Sequence, residues 1–558
     1  MSTAICGVTR EVIEWNYFSS KLHHDPFNQI ELDVIVTHED GESWVIPAFW
    51  AGGQEWKVRF AAPRCGTYEA ISKCSDSNDS QLHEVNQSLS ISKYEGDNPL
   101  YEYGPLQIDI SRQNFEHADG TPFFWLGDTW WMGLCKRLSW EEDFKLLTAD
   151  RTKKGFSVIQ IVAGLYPDMD SFDARGENEA GFPWEKDYAT INPAYFDMAD
   201  QRIGWLVRSG LIPCILGSWG YYLFPLGIDK MKQHWRYLIA RWGAYPVIWT
   251  LAGETNMPYY LSKSRQKDQE QLREGWSEVG RYIKEIDPYS RLLTVHPIHI
   301  GRDQVIDSSI MDFDMLQTDH FGKTSIEKTL KTLTTQLDRK PKMPVVVAEV
   351  NYEGILNSNY SDIQRLSFWS SFMSGANGYT YGANGLWQVN ECKKPFGNSP
   401  NGSNWGDTSW KEAYKLDGGG QLGLAVKLLQ KYEWWDFEFH PEWLSVGGDK
   451  DNINVPFATG IPSKIRIIYY DASKFDRGNG SSKAMHILYS YVQRFLGRDK
   501  PLKIVNIELD IKYNAYFWDP RNAERHDIGL VKIDHNSEWR VPMPPTLEDW
   551  ILILEARS

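Results

Sequence analysis

The chain has 558 residues, of which 42% are hydrophobic, enough for sizeable cores and too many for a disordered protein. Its length predicts about three domains, at roughly 100–200 residues per domain. The formal net charge of −15 would repel phosphate backbones, so we expect no nucleic-acid partner. We expect no membrane partner either, because the sequence has neither a basic run nor about 20 consecutive apolar residues.

The first residues, Met1 to Trp15, lack a basic start followed by an apolar core. We therefore expect no signal peptide and predict a cytoplasmic location. The six cysteines are scattered and form no CxxC pair. Cys65 and Cys74 are spaced to bridge a hairpin, but an intracellular protein favours reduced thiols. The composition does not determine the oligomeric state, and a homo-oligomer is compatible with it.

Residues 8–93 contain short strand-like runs separated by turn signals. Examples are Gln29–Thr37 and Trp56–Ala61, in which apolar and polar residues largely alternate. This pattern is typical of an all-β sandwich. A stretch rich in Gly, Pro and Asn follows near Tyr94–Pro105. We therefore predict an N-terminal β-sandwich domain at residues 1–97.

Between about residues 106 and 425, short apolar runs alternate with amphipathic helical segments, as in βα units of a parallel sheet. Eight runs are candidate strands: Phe123–Gly127, Ser157–Val162, Ile212–Gly217, Val247–Ala252, Leu292–His296, Asp314–Thr318, Val345–Glu349 and Gly378–Tyr381. The clearest helical segments are Ile191–Ser209, Gln266–Ile286 and Ser361–Ser374. Eight βα units predict an α/β fold, a (β/α)8 TIM barrel. We place this barrel at residues 98–430.

The last part of the chain returns to strand-like runs, which predict a C-terminal β-sandwich domain at residues 431–558. The predicted strands are Ser463–Tyr470, Ala484–Tyr491, Leu502–Leu509, Asn514–Trp518 and Trp550–Leu554. The glycine run Gly418 to Gly420 is interpreted as a flexible turn. It is a poor phosphate loop, because no strand precedes it.

Two glutamates follow barrel strands at the end where such barrels carry their active sites. Glu254 comes after strand 4, and Glu349 ends strand 7. Glycoside cleavage needs two carboxyl groups: one protonates the leaving oxygen, and the other attacks the anomeric carbon or activates water. An ionisable group directly after an apolar strand is costly to desolvate, which favours a functional role over a structural one. Glu353 is a weaker competitor for the role of Glu349.

Further polar and aromatic residues follow the same strands and are candidates for substrate binding. They are Asp128, Trp131, Trp219, Asn256, His296, His320, Tyr352 and Trp387. Indole rings stack on the C–H faces of sugars, and the polar groups can bind hydroxyls. Each also has a structural alternative, such as a turn cap for Asp128 or a core position for the histidines. We expect no metal and no cofactor, because no ligand motif accompanies these residues.

Six stretches in the barrel resemble those of a known family, both in their residues and in their order along the chain. They are Asp119–Trp131, Lys154–Val162, Asn192–Phe196, Leu216–Gly220, Pro246–Glu254 and Pro344–Glu353. Together they resemble the apiosidase-like glycoside hydrolases, namely glycoside hydrolase family 140 and its relatives. The flanking regions resemble the sandwich domains of unassigned function that often accompany such barrels. The resemblance implies a carbohydrate substrate, hydrolysis of an O-glycosyl bond, an acid/base at Glu254 and the second carboxylate at Glu349.

The chain departs from this family at strand 4, where apiosidase-type sequences carry Asp in place of Glu254. Many retaining glycosidases with this barrel carry Glu on strands 4 and 7, usually with Asn before the first; here that residue is Gly253. The glutamate pair favours a retaining double displacement with Glu349 as nucleophile, and we predict an exo-acting enzyme. Its substrate would be a pentoside or furanoside, such as an apioside or arabinofuranoside. An inverting glycosidase on the same residues and a non-catalytic carbohydrate-binding barrel are the alternatives.

Overall fold

The computed structural model describes residues 4–111, 113–471, 502–546 and 548–557. The chain divides into two compact units. The first comprises Met1–Gln317 and Gly382–Tyr414, and the second comprises Thr318–Tyr381 and Lys415–Ser558. This division does not test the domain boundaries at residues 97 and 430, which stay predictions.

The N-terminal part of the first unit contains two antiparallel-rich sheets that enclose one core. The larger sheet has the strand order Ile5–Val8, Asn86–Ser92, Gly66–Cys74, Leu32–His38, Ser43–Pro47, and the smaller has Val12–Phe18, Glu55–Ala61, Phe49–Gly52. Alternate residues of Leu32–His38 are fully buried, as expected for a strand with one face on a core. Val34 of the larger sheet and Trp15 and Val58 of the smaller belong to the same apolar cluster. The predicted N-terminal β-sandwich is therefore confirmed.

Eight strands form the predicted barrel. In chain order they are Trp125–Thr129, Val158–Val162, Ile212–Leu216, Ile248–Thr250, Leu293–Thr294, Asp314–Gln317, Val345–Glu349 and Gly378–Tyr381, called barrel strands 1 to 8. They belong to one sheet with the order 5-4-3-2-1-8-7-6. Nearly all their residues are buried, as in parallel sheets covered on both faces. The (β/α)8 fold is confirmed, and each strand overlaps its predicted run.

Helices connect most of these strands. The longer ones are Glu142–Lys154, Pro193–Arg208, Leu223–Trp242, Arg265–Ile286, Lys323–Asp338, Ser361–Met373 and Asp417–Leu429. Short α-helices are Pro26–Gln29, Pro99–Glu102 and Trp410–Ala413, and 3-10 turns are Ala174–Gly176, Lys186–Tyr188, Gly220–Tyr222, Gly301–Asp303, Ser308–Ile310, Ile355–Asn357, Trp434–Asp436 and Pro441–Trp443. The expected helix between strands 5 and 6 is replaced by two of these turns. There Arg302 pairs with Asp314 of strand 6 at 3.0 Å, which fixes a short connection to the sheet.

An antiparallel hairpin precedes strand 1 in the first unit. It pairs Leu106–Ile108 with Phe115–His117. The Phe115 ring contacts the rings of Trp125 and Phe313, with centroids 5.3 and 5.1 Å apart. Because Trp125 begins strand 1 and Phe313 precedes strand 6, the hairpin packs at the amino-terminal end of these strands.

The C-terminal part of the second unit is a six-stranded antiparallel sheet. Its order is Glu438–Phe439, Phe457–Ile461, Ile465–Asp471, Asp549–Ala556, Tyr513–Trp518, Arg525–Leu530, and a small sheet pairs Lys503–Ile504 with Trp539–Arg540. One face covers an apolar cluster that includes Trp443 and Trp539. On the other face, Tyr469 and Trp518 contact Trp369 of helix Ser361–Met373.

Most of the predicted C-terminal strands are confirmed as part of these sheets. The predicted run Leu502–Leu509 is strand only over Lys503–Ile504. The predicted strand Ala484–Tyr491 lies outside the described residues. The sheet is also joined to the helix beneath it by Arg365, whose guanidinium makes two 2.7 Å hydrogen bonds to the Asp549 carboxylate. Such a bidentate pair fixes orientation as well as distance.

Two further expectations concern membranes and cysteines. None of the helices in the described parts of the chain is long and apolar enough to cross a membrane. All six cysteines, Cys65 and Cys74 among them, are free thiols in the structure.

A buried ion network joins the N-terminal sheets to two barrel helices in the first unit. Asp200, on helix Pro193–Arg208, accepts from Arg59 of the smaller sheet and from Arg241 of the next helix, each at 2.6 Å. The Trp242 indole donates to its other oxygen at 2.7 Å. Burial alone would raise the pKa of Asp200, but Arg241 and Arg59 outweigh it and hold this pKa well below its usual range.

Asp200→Asn should lower the free energy of unfolding by about 3 kcal/mol, because it leaves two buried guanidinium groups without their shared anion. The folded pKa of Asp200 is depressed, so its stabilising effect is complete above the unfolded pKa of about 3.9 and is lost as the pH falls below it. Thermal unfolding of wild type and variant should therefore differ most at neutral pH and converge on acidification. Asp197→Asn, at an exposed partner of Arg241, is the control and should change stability by less than about 1 kcal/mol. Equal effects of both variants would contradict the network's role.

Candidate active site

Glu254 lies in a strained backbone conformation just after barrel strand 4. Its φ angle is 40°, in the left-handed region that residues with a side chain rarely adopt. The carbonyl of Glu254 accepts from Met257 N at 2.7 Å, and the next amide, of Thr255, donates to the His296 carbonyl at 3.1 Å. Such strain persists only where neighbouring contacts impose it, and it is often found at functional sites.

The carboxylate of Glu254 is held by two neutral donors. Trp219 Nε1 donates to Oε2 at 3.2 Å, and Gln317 Nε2 donates to Oε1 at 3.0 Å. Trp219 follows strand 3, and Gln317 is the last residue of strand 6. Gln317 was not predicted from the sequence. Its position at the end of strand 6 could have indicated it, because the other predicted residues also follow barrel strands.

Three predicted binding residues gather beside Glu254. The rings of Trp131 and His296 lie edge to face at 5.0 Å, and Trp131 contacts Trp219 at 5.6 Å. The His296 and Trp219 rings are 6.2 Å apart. All three side chains are buried. Ring packing of this kind fixes their orientations, so the three residues form a rigid aromatic wall.

The other predicted residues of the first unit have different surroundings. Asp128 is fully buried and accepts from Arg151 Nε and Trp130 Nε1, each at 2.6 Å, which favours its structural alternative. Trp387 packs edge-on against Phe396 at 5.6 Å. Asn256 is also buried, and its Oδ1 has no hydrogen-bond partner among the described residues. A buried amide oxygen without a partner is costly, so Asn256 remains suited to bind a ligand hydroxyl.

The long loop after strand 2 contributes a further buried carboxylate, Asp168, to the first unit. Asp168 is buried with φ 57°, accepts from Trp405 Nε1 at 3.2 Å, and donates its amide to the Tyr260 hydroxyl at 2.9 Å. Burial, followed by the charges of Asp168 and Glu254, raises the pKa of Tyr260 well above its usual value. Tyr260 is therefore a neutral phenol close to both carboxylates.

The described residues offer no obvious metal centre. Within them no three His, Cys, Asp or Glu side chains are grouped so that they could hold a metal ion. In the acidic loop after strand 2, Asp173 pairs with Arg175 at 2.8 Å, and Asp170 accepts from the Tyr259 hydroxyl. These carboxylates thus already have protein partners.

In the second unit, Glu349 ends barrel strand 7 and is buried, with 6% of its surface exposed. The Tyr352 hydroxyl donates to Oε2 at 2.6 Å, and His320 Nε2 lies 3.2 Å from Oε1. The Tyr352 amide donates to His320 Nδ1 at 3.0 Å. Because Nδ1 accepts this bond, the neutral imidazole carries its proton on Nε2 and donates it to Glu349. The predicted residues His320 and Tyr352 thus both bind the predicted nucleophile.

Amide side chains hold His320 in this position. Asn359 Nδ2 donates to the His320 carbonyl at 2.8 Å, and Asn351 exchanges two 2.9 Å hydrogen bonds with the backbone of Gly322. Gln364 in turn donates to the carbonyls of Asn351 and Asn359. These bonds join the loops after strands 6 and 7, which gives the imidazole a defined orientation toward Glu349.

Glu353, the weaker candidate, is part of a helix start. Its carboxylate accepts from the Tyr381 hydroxyl at 2.5 Å and from Gly418 N at 3.1 Å, where helix Asp417–Leu429 begins. Negative charge is favourable at this end of a helix. The interpretation of Gly418 to Gly420 as a flexible turn was wrong: the run lies in the first helical turn, and a Cβ at Gly418 would be 2.4 Å from Glu353 Oε2. The absence of a side chain at Gly418 thus lets the Glu353 carboxylate lie this close to the helix start.

Comparison with known protein families identifies the family of the barrel. The apiosidase-like catalytic domain matches residues 110–436, more than half of the chain. The chain belongs to the apiosidase-like family. A domain of unknown function, DUF5060, matches residues 11–73 in the N-terminal sheets. No curated protein matches the chain at a significant level.

The solved structures that share this fold include proteins described as glycoside hydrolases. One is 19% identical, with a TM-score of 0.63, over 83% of this chain and 98% of that one. A glycoside hydrolase of family 5 from Bacteroides vulgatus is 18% identical (TM-score 0.64; 83% and 95% covered). A putative glycoside hydrolase from the same organism is 15% identical (TM-score 0.68; 99% and 100% covered). At these identities the likeness shows the fold, and the family match shows that the apiosidase-like chain is a glycoside hydrolase.

Glu353→Ala should destabilise the apiosidase-like protein by about 1–3 kcal/mol, because it leaves the Tyr381 hydroxyl and the Gly418 amide without their acceptor. Thermal unfolding measures this change. The exposed Glu327→Ala is the matched control and should change stability by less than about 0.5 kcal/mol. Recovery of hydrolysis by Glu353→Ala in azide would contradict the supporting role, since it would indicate a nucleophile.

Proposed function

We propose that the protein is an exo-acting, retaining glycosidase in which Glu254 is the acid/base and Glu349 is the nucleophile. Both residues follow strands of one parallel barrel, and such barrels assemble their active sites at that end. The family supports the reaction class. The observation that carries the assignment of roles is the hydrogen bonding of Glu349 by Tyr352 and His320.

The surroundings of the two glutamates favour different roles. Glu349 is buried, and its two donors stabilise the charged form that a nucleophile needs. Glu254 is partly exposed, and indole and amide groups hold it. An acid/base must exchange its proton with the leaving group and then with water, so partial access suits it. Contrasting environments for two carboxyl groups are the usual way to separate their roles.

The proposed reaction has two steps. First, Glu254 gives its proton to the glycosidic oxygen while a Glu349 oxygen attacks the anomeric carbon; the bond to the leaving oxygen breaks, and a glycosyl ester forms. Second, the Glu254 carboxylate takes a proton from water, whose oxygen attacks the anomeric carbon. The ester bond to Glu349 breaks, and the free sugar leaves with its original anomeric configuration.

We propose a terminal pentoside or furanoside, such as an apioside or arabinofuranoside, as the substrate. Membership of the apiosidase-like family supports this class. The buried Asn256 Oδ1 is suited to accept a hydrogen bond from a sugar hydroxyl, whereas binding roles for the buried rings of Trp131, Trp219 and His296 stay predictions. The roles of Trp387 and Asp128 in binding stay predictions, although the Arg151 pair of Asp128 argues against direct sugar contact.

Glu349→Ala should abolish hydrolysis of an activated aryl glycoside, and azide should restore turnover with an inverted glycosyl azide. Glu254→Ala should lower the rate on unactivated substrates by about 10²–10⁴-fold, because proton transfer to the leaving oxygen is lost. Azide should convert the Glu254 variant's ester intermediate to an azide of retained configuration. Product analysis by NMR distinguishes the two adducts. Unchanged hydrolysis by Glu349→Ala would refute its role.

A panel of pentoside and hexoside glycosides, including apiosyl and furanosyl ones, should identify the substrate class. Proton NMR of the first-formed sugar should then show the anomer of the substrate. The opposite anomer would establish the inverting alternative on the same residues. Sugar affinity by calorimetry without turnover on any member of the panel would instead support a carbohydrate-binding barrel.

A further inference from the structure

Gly253 leaves room for the indole of Trp219 at the point where strand 4 gives way to Glu254. A Cβ added to Gly253 would lie 2.2 Å from Cε3 and 2.3 Å from Cζ3 of that ring. Trp219 and Gly253 also form a parallel β-bridge. Real side chains cannot approach so closely in a packed interior, so the indole occupies the space that a side chain at position 253 would need.

A second glycine brings the two chain segments together. A Cβ on Gly220 would lie 2.5 Å from the Thr255 carbonyl oxygen and 2.6 Å from that of Glu254. Gly220 N donates to the Gly253 carbonyl at 2.7 Å, and Gly253 N donates to the Ser218 carbonyl at 2.9 Å. Because of this close approach, Trp219 Nε1 reaches Glu254 Oε2.

The same packing leaves little of the indole available for stacking on a sugar. Trp219 is 4% exposed. Backbone at Gly253 meets its six-membered ring, and the rings of Trp131 and His296 contact it as well. The polar edge, by contrast, points at the Glu254 carboxylate.

We propose that Trp219 is a positioning residue for Glu254 and that Gly253 is the residue that permits it. This inference rests on the proposed acid/base role of Glu254. Trp219 holds Oε2 while Gln317 holds Oε1, which fixes the plane of the carboxyl group. A carboxyl oxygen has two lone pairs, so accepting one hydrogen bond does not by itself prevent it from carrying a proton. A fixed carboxyl plane keeps the acidic proton of Glu254 directed toward the leaving oxygen of the substrate.

Trp219→Phe keeps a six-membered aromatic ring but removes the Nε1–H group that donates to Glu254. We would measure kcat/KM on the methyl and 2,4-dinitrophenyl glycosides of the sugar that the wild type hydrolyses. If Glu254 is no longer oriented, kcat/KM should fall about tenfold or more on the methyl glycoside, because its alkoxide leaving group must be protonated. On the dinitrophenyl glycoside kcat/KM should fall much less, because the phenolate leaves without protonation. Gly253→Ala should show the same selective loss, because its methyl group displaces the indole.

Trp249→Phe is the matched control. Trp249 lies on strand 4, and its indole donates to the Asp287 carboxylate at 3.0 Å, so this variant also removes a buried indole–carboxylate bond. Any loss it causes should be equal on both glycosides. Equal losses on both glycosides for Trp219→Phe, or no loss, would overturn the positioning role, as would a selective loss in Trp249→Phe.

Two further measurements separate this inference from the proposed function. Glu254→Gln should show the strongest leaving-group dependence; if it shows none, or if the wild type hydrolyses no glycoside, the acid/base assignment fails. A crystal structure of Gly253→Ala tests the packing without turnover. It should show a displaced indole and a broken bond between Nε1 and Oε2, whereas an unmoved indole would overturn the role of Gly253.

Discussion

Hydrogen bonds from neutral groups hold the two strand-end glutamates, of which Glu349 is buried and Glu254 is partly exposed. Glu254 accepts from an indole and an amide, and Glu349 from a phenol and an imidazole. A buried carboxylate without such donors would be costly or would take up a proton. With them, each glutamate is oriented by groups that carry no net charge.

Charged partners are used elsewhere in the fold. Arg59 and Arg241 share Asp200, Arg151 holds Asp128, and Arg365 holds Asp549. These pairs join sheets to helices and strands to helices, where a fixed geometry is sufficient. A full positive charge beside an acid/base would favour its ionised form and oppose proton donation. The division between ion pairs in the scaffold and neutral donors at the two glutamates therefore has a chemical reason.

The barrel could be predicted because its strands are buried on both faces and are read as continuous apolar runs. The connection between strands 5 and 6 could not, since the pairing of Arg302 with Asp314 that fixes it is not local in sequence. The same holds for Gly418, whose glycine is explained by the approach of Glu353, and for Asp128, whose partner Arg151 lies on the next helix. Sequence indicates where an apolar strand ends, but a contact between distant residues decides whether the following polar group faces a site or the scaffold.

The candidate site shows the same limit at finer scale. Glu254, Glu349, His320 and Tyr352 were predicted from strand ends and family motifs, and the structure joins the last three by hydrogen bonds. Gln317 was missed, because an amide at a strand end has no distinctive chemistry. Gly253 was noticed only as a departure; its reason, the indole of Trp219, becomes visible when the two segments lie side by side.

Covalent labelling of the nucleophile tests the central claim most directly. An activated 2-deoxy-2-fluoro glycoside of the hydrolysed sugar should form a slowly released ester, and peptide mass spectrometry should locate the added mass. We expect one label, on Glu349 in the segment Val345–Glu353. A label on another carboxylate, or rapid turnover through an inverted product with no label, would contradict it.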